Sequence, residues 1–151
     1  MLLAISGARA QEESLSISKN LRMNCRARMR EGTYIPSRVP YGYRMKNSGE
    51  LEIVPEEAEV VQLIFTSFLS GMGKYKIADM LNERQAPKQA QYPKWHERSI
   101  NYILKNERYM GDALLQKNYT TETLPFRKKK NKGELARYYV ENANPPIISR
   151  E

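Results

Sequence analysis

Cysteine and histidine are almost missing from this sequence: Cys25 and His96 occur once each in 151 residues. A lone cysteine excludes an internal disulfide and suits a reducing compartment. One cysteine and one histidine do not make an ordinary zinc-ligand set, so no metal or other cofactor is expected within these residues. The same shortage leaves no nucleophile–base constellation for an autonomous enzyme, and no catalytic residue is assigned. Long apolar runs are missing too. None approaches the ~20 residues that a membrane span requires, and no membrane partner is expected. The opening MLLAISGARA is too short and too weakly apolar for a signal peptide; it reads as part of an amphipathic helix cut from a longer one. Acidic residues are in deficit, 17 Asp and Glu against 25 Lys and Arg, giving a net charge of +8 and a pI near 9.6. That imbalance points to a polyanionic partner. The length accommodates one domain, or one domain with appendages.

Along the chain, residues 1–31 contain no proline and read as a helix, with Leu3, Ala10, Ile17, Leu21 and Cys25 near one face. Its second half is basic, with Lys19, Arg22, Arg26, Arg28 and Arg30, and Gly32 is a natural stop. TYIPSRVPYGY (33–43) carries two prolines and must run extended. GYRMKNSGELEIV predicts a hairpin turning at Asn47-Ser48-Gly49. Pro55-Glu56-Glu57 opens a helix in the favoured manner, and Ala58, Val61, Ile64, Phe65, Phe68 and Leu69 repeat at helical spacing until Gly71 ends it. A second short helix, about 74–84, gathers Ile77, Ala78 and Leu81. A loop with Pro87 and Pro93 follows. A third helix, about 97–106, buries Ile100, Ile103 and Leu104. Residues 112–119 suggest a strand. Residues 120–137, with RKKKNK at 127–132, read as a mobile basic loop, and YYVENANPPIIS as the first piece of a further element. The fold class is therefore mainly α with small β elements (α+β): a helix-turn-helix-like unit with a long N-terminal helix and a short β-hairpin.

The third helix carries the chemistry. Arg98, Asn101, Tyr102 and Lys105 fall on one stripe, opposite the apolar stripe. Arginine can pair bidentately with guanine and asparagine with adenine in the major groove of duplex DNA. Tyr102 and Lys105 can serve bases or backbone, while Lys74, Lys76, Lys88 and Lys94 are placed to hold phosphates. Arg38, in the proline-rich segment, joins the basic helix end with Arg26 and Arg30 as an arm suited to the minor groove. Tyr41 and Tyr43 are expected to pack rather than bind. His96 is expected to be an exposed residue near the start of the third helix rather than a metal ligand.

SISKNLR…EG, PYGYR, IVPEEAEVVQLIF, KIADMLN, the W-x₄-I-x₂-IL-x-N-x₂-Y-x-G pattern from Trp95 to Gly111, and NKGELARYYVENANPPIIS together resemble the large serine recombinases, the integrases and transposases of phages and conjugative transposons. The resemblance covers nearly the whole chain, in the family's order and spacing. It implies that residues 1–18 end a long helix leaving a resolvase-like catalytic domain, that 19–119 form the family's recombinase DNA-binding domain, and that 120–151 lead towards a zinc-ribbon domain, the expected place of any zinc. It implies a serine that becomes linked to a 5′ phosphate; none of the ten serines here, Ser99 included, sits in that nucleophile motif, so these residues should not cut DNA themselves. It further implies an attachment site in double-stranded DNA as partner, further copies of a full-length recombinase met through other domains, and a cytoplasmic, nucleoid-associated protein of bacterial or phage origin. Three positions depart from the family's habit. Gln85 and Ala86 stand where the loop usually has a glycine, His96 where a Ser or Thr caps the third helix, and Asn144 where histidine is frequent. The alternative from the residues alone is a helix-turn-helix transcription regulator that dimerises through its N-terminal helix.

Overall fold

The helices form where apolar spacing and end signals coincide. In the computed structural model, which describes residues 2–89 and 91–151 with side chains from residue 5, the molecule is mainly α with small β elements. The helices are α1 (Leu2–Glu31), α2 (Pro55–Leu69), α3 (Lys74–Glu83) and α4 (Glu97–Leu104). The strands are β1 (Tyr43–Met45), β2 (Leu51–Ile53), β3 (Ala113–Leu115), β4 (Asn118–Thr120), β5 (Lys128–Lys130) and β6 (Tyr138–Val140). Two compact units result. One combines the N-terminal segment through Tyr34 with Leu115–Tyr138; the other combines Ile35–Leu114 with Tyr139–Glu151. The chain passes between them within β3 and β6, which pair with each other.

The second unit holds the apolar core. Val61 and Ile64 of α2, Ile77 and Leu81 of α3, Ile100 of α4 and Tyr109 are sealed from solvent. α2, α3 and α4 pack mutually, so each covers the others' apolar stripes, the principal source of stability for helices this short. The hairpin β1–β2 is antiparallel, with Tyr43 opposite Ile53 and Arg44 opposite Glu52, whose side chains form an ion pair. Its turn closes through Gly49, at φ 85°, whose N–H donates to the Lys46 carbonyl at 2.9 Å. The α2 stripe is rotated from its sequence expectation. Val60 and Ser67 join Ala58, Val61 and Ile64 inside, while Leu69 is 83% exposed and Phe68 43%. At 100° per residue Leu69 falls only about 20° from Ala58, at the edge of the buried stripe, and it and Phe68 sit at the helix's open C-terminal end.

Residues 139–151 close this core from outside. The Ile147 and Ile148 N–H groups donate to the Tyr109 carbonyl at 2.8 and 3.0 Å, and Ile147 is buried. The Tyr43 hydroxyl donates to the Pro145 carbonyl at 2.7 Å with the Arg108 carbonyl at 3.0 Å; burial pushes its pKa up to about 12.

In the first unit α1 runs unbroken to Glu31 and stops at Gly32, φ 74°. Ile17, Leu21 and Cys25 on its expected apolar face are exposed, and the Leu3 side chain lies outside the described residues. The basic stretch corrects the expectation of a loop: Lys128–Lys130 is strand β5, antiparallel to β4. The strand expected over 112–119 is two strands, interrupted by Gln116 at φ 62°.

Candidate nucleic-acid interface

Trp95 fixes where α4 begins. Its indole is buried, with Tyr41 edge-on at 5.1 Å. Asn82, on α3, grips its backbone from both sides: the Asn82 amide donates to the Trp95 carbonyl at 2.9 Å and its oxygen accepts from the Trp95 N–H at 2.7 Å. The Tyr41 hydroxyl donates to the Pro87 carbonyl, and burial raises its pKa. The described residues on either side of the loop, 84–89 and 91–96, are thereby held against the end of α3 despite the loop's length. His96 then serves as the N-cap, exposed and extended at φ −130°, without a side-chain capping bond.

From that start, α4 turns Ile100 and Ile103 inward and Arg98, Tyr102 and Lys105 outward. Tyr102 is 62% exposed. Among the described residues no ion pair engages Arg98 or Lys105. Asn101 is half-buried, and its side-chain oxygen accepts from the Lys74 ammonium at 2.9 Å. This bond ties the first residue of α3 to the middle of α4 and occupies one acceptor position on the asparagine. Lys94 and Arg98 share a shallow groove with Tyr75, Asp79, His96 and Glu97.

The remaining cations divide. Lys76 is exposed but lies about 200° round α3 from Lys74, on the side away from the core. Lys88 is half-buried 5.0 Å over the Trp95 ring, with its ammonium on the Lys94 carbonyl; desolvation lowers its pKa. It braces the loop. Arg38 is exposed in the extended segment of the same unit. In the other unit, Arg30 is exposed and Arg26 is half-buried, 3.5 Å from Glu122. Tyr41 and Tyr43 pack as expected. The sequence reading missed Asn82 as a positioning residue; its signal was a polar side chain beside the buried Leu81 within KIADMLN. It also missed Glu57, whose carboxylate accepts from the Gly42 N–H at 2.7 Å.

The exposed α4 stripe offers a guanidinium, an ammonium and a phenol with an anchored helix behind them. Such a set can donate hydrogen bonds to base edges and phosphates. Among the described residues no group of three His, Cys, Asp or Glu side chains could hold a metal, and no helix is long and apolar enough to cross a membrane.

Residues 55–151 match the protein family described as Recombinase. A protein of Bacillus subtilis (strain 168) called "Putative DNA recombinase" is 27% identical over 128 residues, covering 81% of this chain and 25% of that protein. The chain thus spans about a quarter of that relative's length. No solved structure matches. With the motifs, the family match and the relative in agreement, the chain belongs to the Recombinase family.

Proposed function

We propose that this chain is the DNA-recognition part of a serine site-specific recombinase, binding half of an attachment site in duplex DNA where mobile DNA integrates or is excised. The observation that carries the reading is the division of α4: Ile100 and Ile103 are sealed in the core while Arg98, Tyr102 and Lys105 stand in solvent. In this reading α3 and α4 act as a helix-turn-helix pair with a long connection, and α4 enters the major groove. Arg98 donates bidentately to a guanine edge. Lys105 and Lys94 hold phosphates on either side, with Tyr102 adding a further donor. Asn101 and Lys74 act as a couple: a bidentate asparagine–adenine contact uses the second acceptor position of the oxygen that Lys74 engages, and the ammonium beside it can reach a phosphate. Arg38 follows the minor groove next to the docked helix. Strand cleavage is assigned to other parts of a longer recombinase, as are contacts between its copies.

The test starts from a cognate site selected out of a random duplex library. Arg98→Ala is expected to cost about 1–3 kcal/mol on that site and to relax preference at one base position. Equal weakening on cognate and random duplexes would reject direct readout by Arg98. Failure of the chain to enrich any duplex would reject the DNA-recognition reading itself.

A further inference from the structure

The β4–β5 ribbon belongs to the other compact unit from α4, and it concentrates charge. Residues 115–138 hold seven Lys and Arg against two Glu. Glu122 pairs with Arg26 at 3.5 Å; Glu134 accepts from the Lys132 N–H at 2.6 Å, and its charge also acts on Lys132 and Lys129, so the two acids leave the ribbon strongly cationic. The residues opposite Lys128, Lys129 and Lys130 are Thr120, Tyr119 and Asn118, so no carboxylate stands opposite the three lysines in the strand register. Isolated two-stranded ribbons are marginal in water, and self-repulsion weakens this one further.

The ribbon is nonetheless firmly built. At its base the Asn131 N–H donates to the Lys117 carbonyl at 2.7 Å, while the buried Asn131 amide donates to the Gln116 and Leu135 carbonyls. Near the tip the Thr121 N–H donates to the Arg127 carbonyl at 3.0 Å, and the Thr121 hydroxyl accepts from the Arg127 N–H at 2.9 Å. Phe126 rests 5.9 Å under the Arg22 guanidinium of α1. Leu124, beside Pro125, is left 63% exposed at the point of the turn. A rigid ribbon with lysines on both faces and an apolar point has the chemistry of an arm that lies between two phosphate walls and presses a wedge against the base steps.

We infer that the β4–β5 ribbon is a second duplex-DNA contact: Lys128, Lys129 and Lys130 neutralise phosphates flanking a minor groove, and Leu124 enters that groove and bends the duplex. The inference rests on the DNA-binding reading and extends it to a surface that reads shape instead of sequence. Period-2 alternation sends Lys128 and Lys130 to one face and Lys129 to the other, matching the two walls of a groove. The lysines that commonly protect an edge strand from association need no exposed leucine at the tip.

The experiment uses the whole chain and a mixed-sequence duplex labelled at both ends for energy transfer. Replacing Lys128, Lys129 and Lys130 together with Gln is expected to reduce the slope of log affinity against log salt by about 2–3, at roughly 0.9 per phosphate. Leu124→Ser is expected to keep the slope but lose the bend and the protection of adenine N3 from methylation. Neither change removes a buried group, and circular dichroism of each variant checks the fold. An unchanged slope in the Gln variant, or an unchanged bend and protection in Leu124→Ser, overturns the inference while leaving the α4 reading intact. Absence of duplex binding by the unaltered chain overturns both.

Discussion

At the scale of single residues, Gln85 carries strain that its neighbours make visible. It sits at φ 51°, in the left-handed region, one position past the Arg84 cap of α3. Its N–H donates to the Asn82 carbonyl at 3.1 Å and that of Ala86 to Leu81 at 2.9 Å, the paired bonds of a helix stop that favours glycine. The same pattern ends α2, where Gly71 at φ 93° fills the equivalent place. Gln85→Gly is therefore expected to stabilise the second unit by up to about 1 kcal/mol, relief of left-handed strain outweighing the added freedom of the unfolded chain. Urea unfolding measures it, and a lower midpoint for the glycine variant would contradict the account. The structure thus explains a departure visible in the sequence: a glutamine occupies a glycine conformation, and the loop keeps its path. Exposure of Arg98 and Lys105 was equally legible, because helical periodicity alone sets them opposite Ile100 and Ile103. The Lys74–Asn101 bond was not, since it depends on how α3 lies against α4.

At the scale of elements, the α3–α4 connection shows how a long loop can position a short helix. The two Asn82–Trp95 bonds replace the tight turn, and the buried indole gives the loop its own small core. Asn82→Ala leaves the Trp95 N–H and carbonyl without those partners, at a cost of about 1–3 kcal/mol. It is also expected to weaken duplex binding on every sequence alike, because the whole stripe on α4 loses its fixed start. Stability by urea and affinity on cognate and random duplexes report the two effects. Full affinity in a destabilised variant would show that the loop does not position α4. The helices were legible because their signals are local: Pro55 with two glutamates, the apolar spacing of α3 and α4, and Gly32. Strand β5 was hidden for the opposite reason. A run of lysines has little intrinsic strand preference, and its pairing depends on Asn131 and Thr121, whose partners are set by the folded ribbon rather than by any local pattern.

At the scale of the whole molecule, the chain returns to a core it left 24 residues earlier, and Asp112 fastens that return. Its carboxylate accepts from the Tyr139 hydroxyl, from the Asn142 N–H at 3.0 Å and from the Arg150 guanidinium at 2.6 Å. Residues 139–151 pack Ile147 into the second unit, with Ile148 partly buried beside it; two adjacent isoleucines among prolines and asparagines give no periodicity from which to read burial. The Tyr139 hydrogen bond foremost, then the Asn142 N–H, with Arg150 adding to them, hold the Asp112 carboxyl below the usual carboxylate range. The sign follows from linkage. The folded state prefers the ionised form, so the stabilisation is complete above the ordinary aspartate value of about 4 and disappears as pH falls through the lowered folded value. The second unit should lose stability on acidification over that window. Asp112→Asn should be less stable than the unaltered chain at neutral pH and show a flatter acid limb, with faster amide exchange at Asn142 and Ile147. Urea midpoints as a function of pH, with exchange measured at neutral pH, decide it: parallel acid limbs in the two proteins would mean that another carboxylate governs the acid response, and unchanged exchange would free Asp112 of its role in seating residues 139–151.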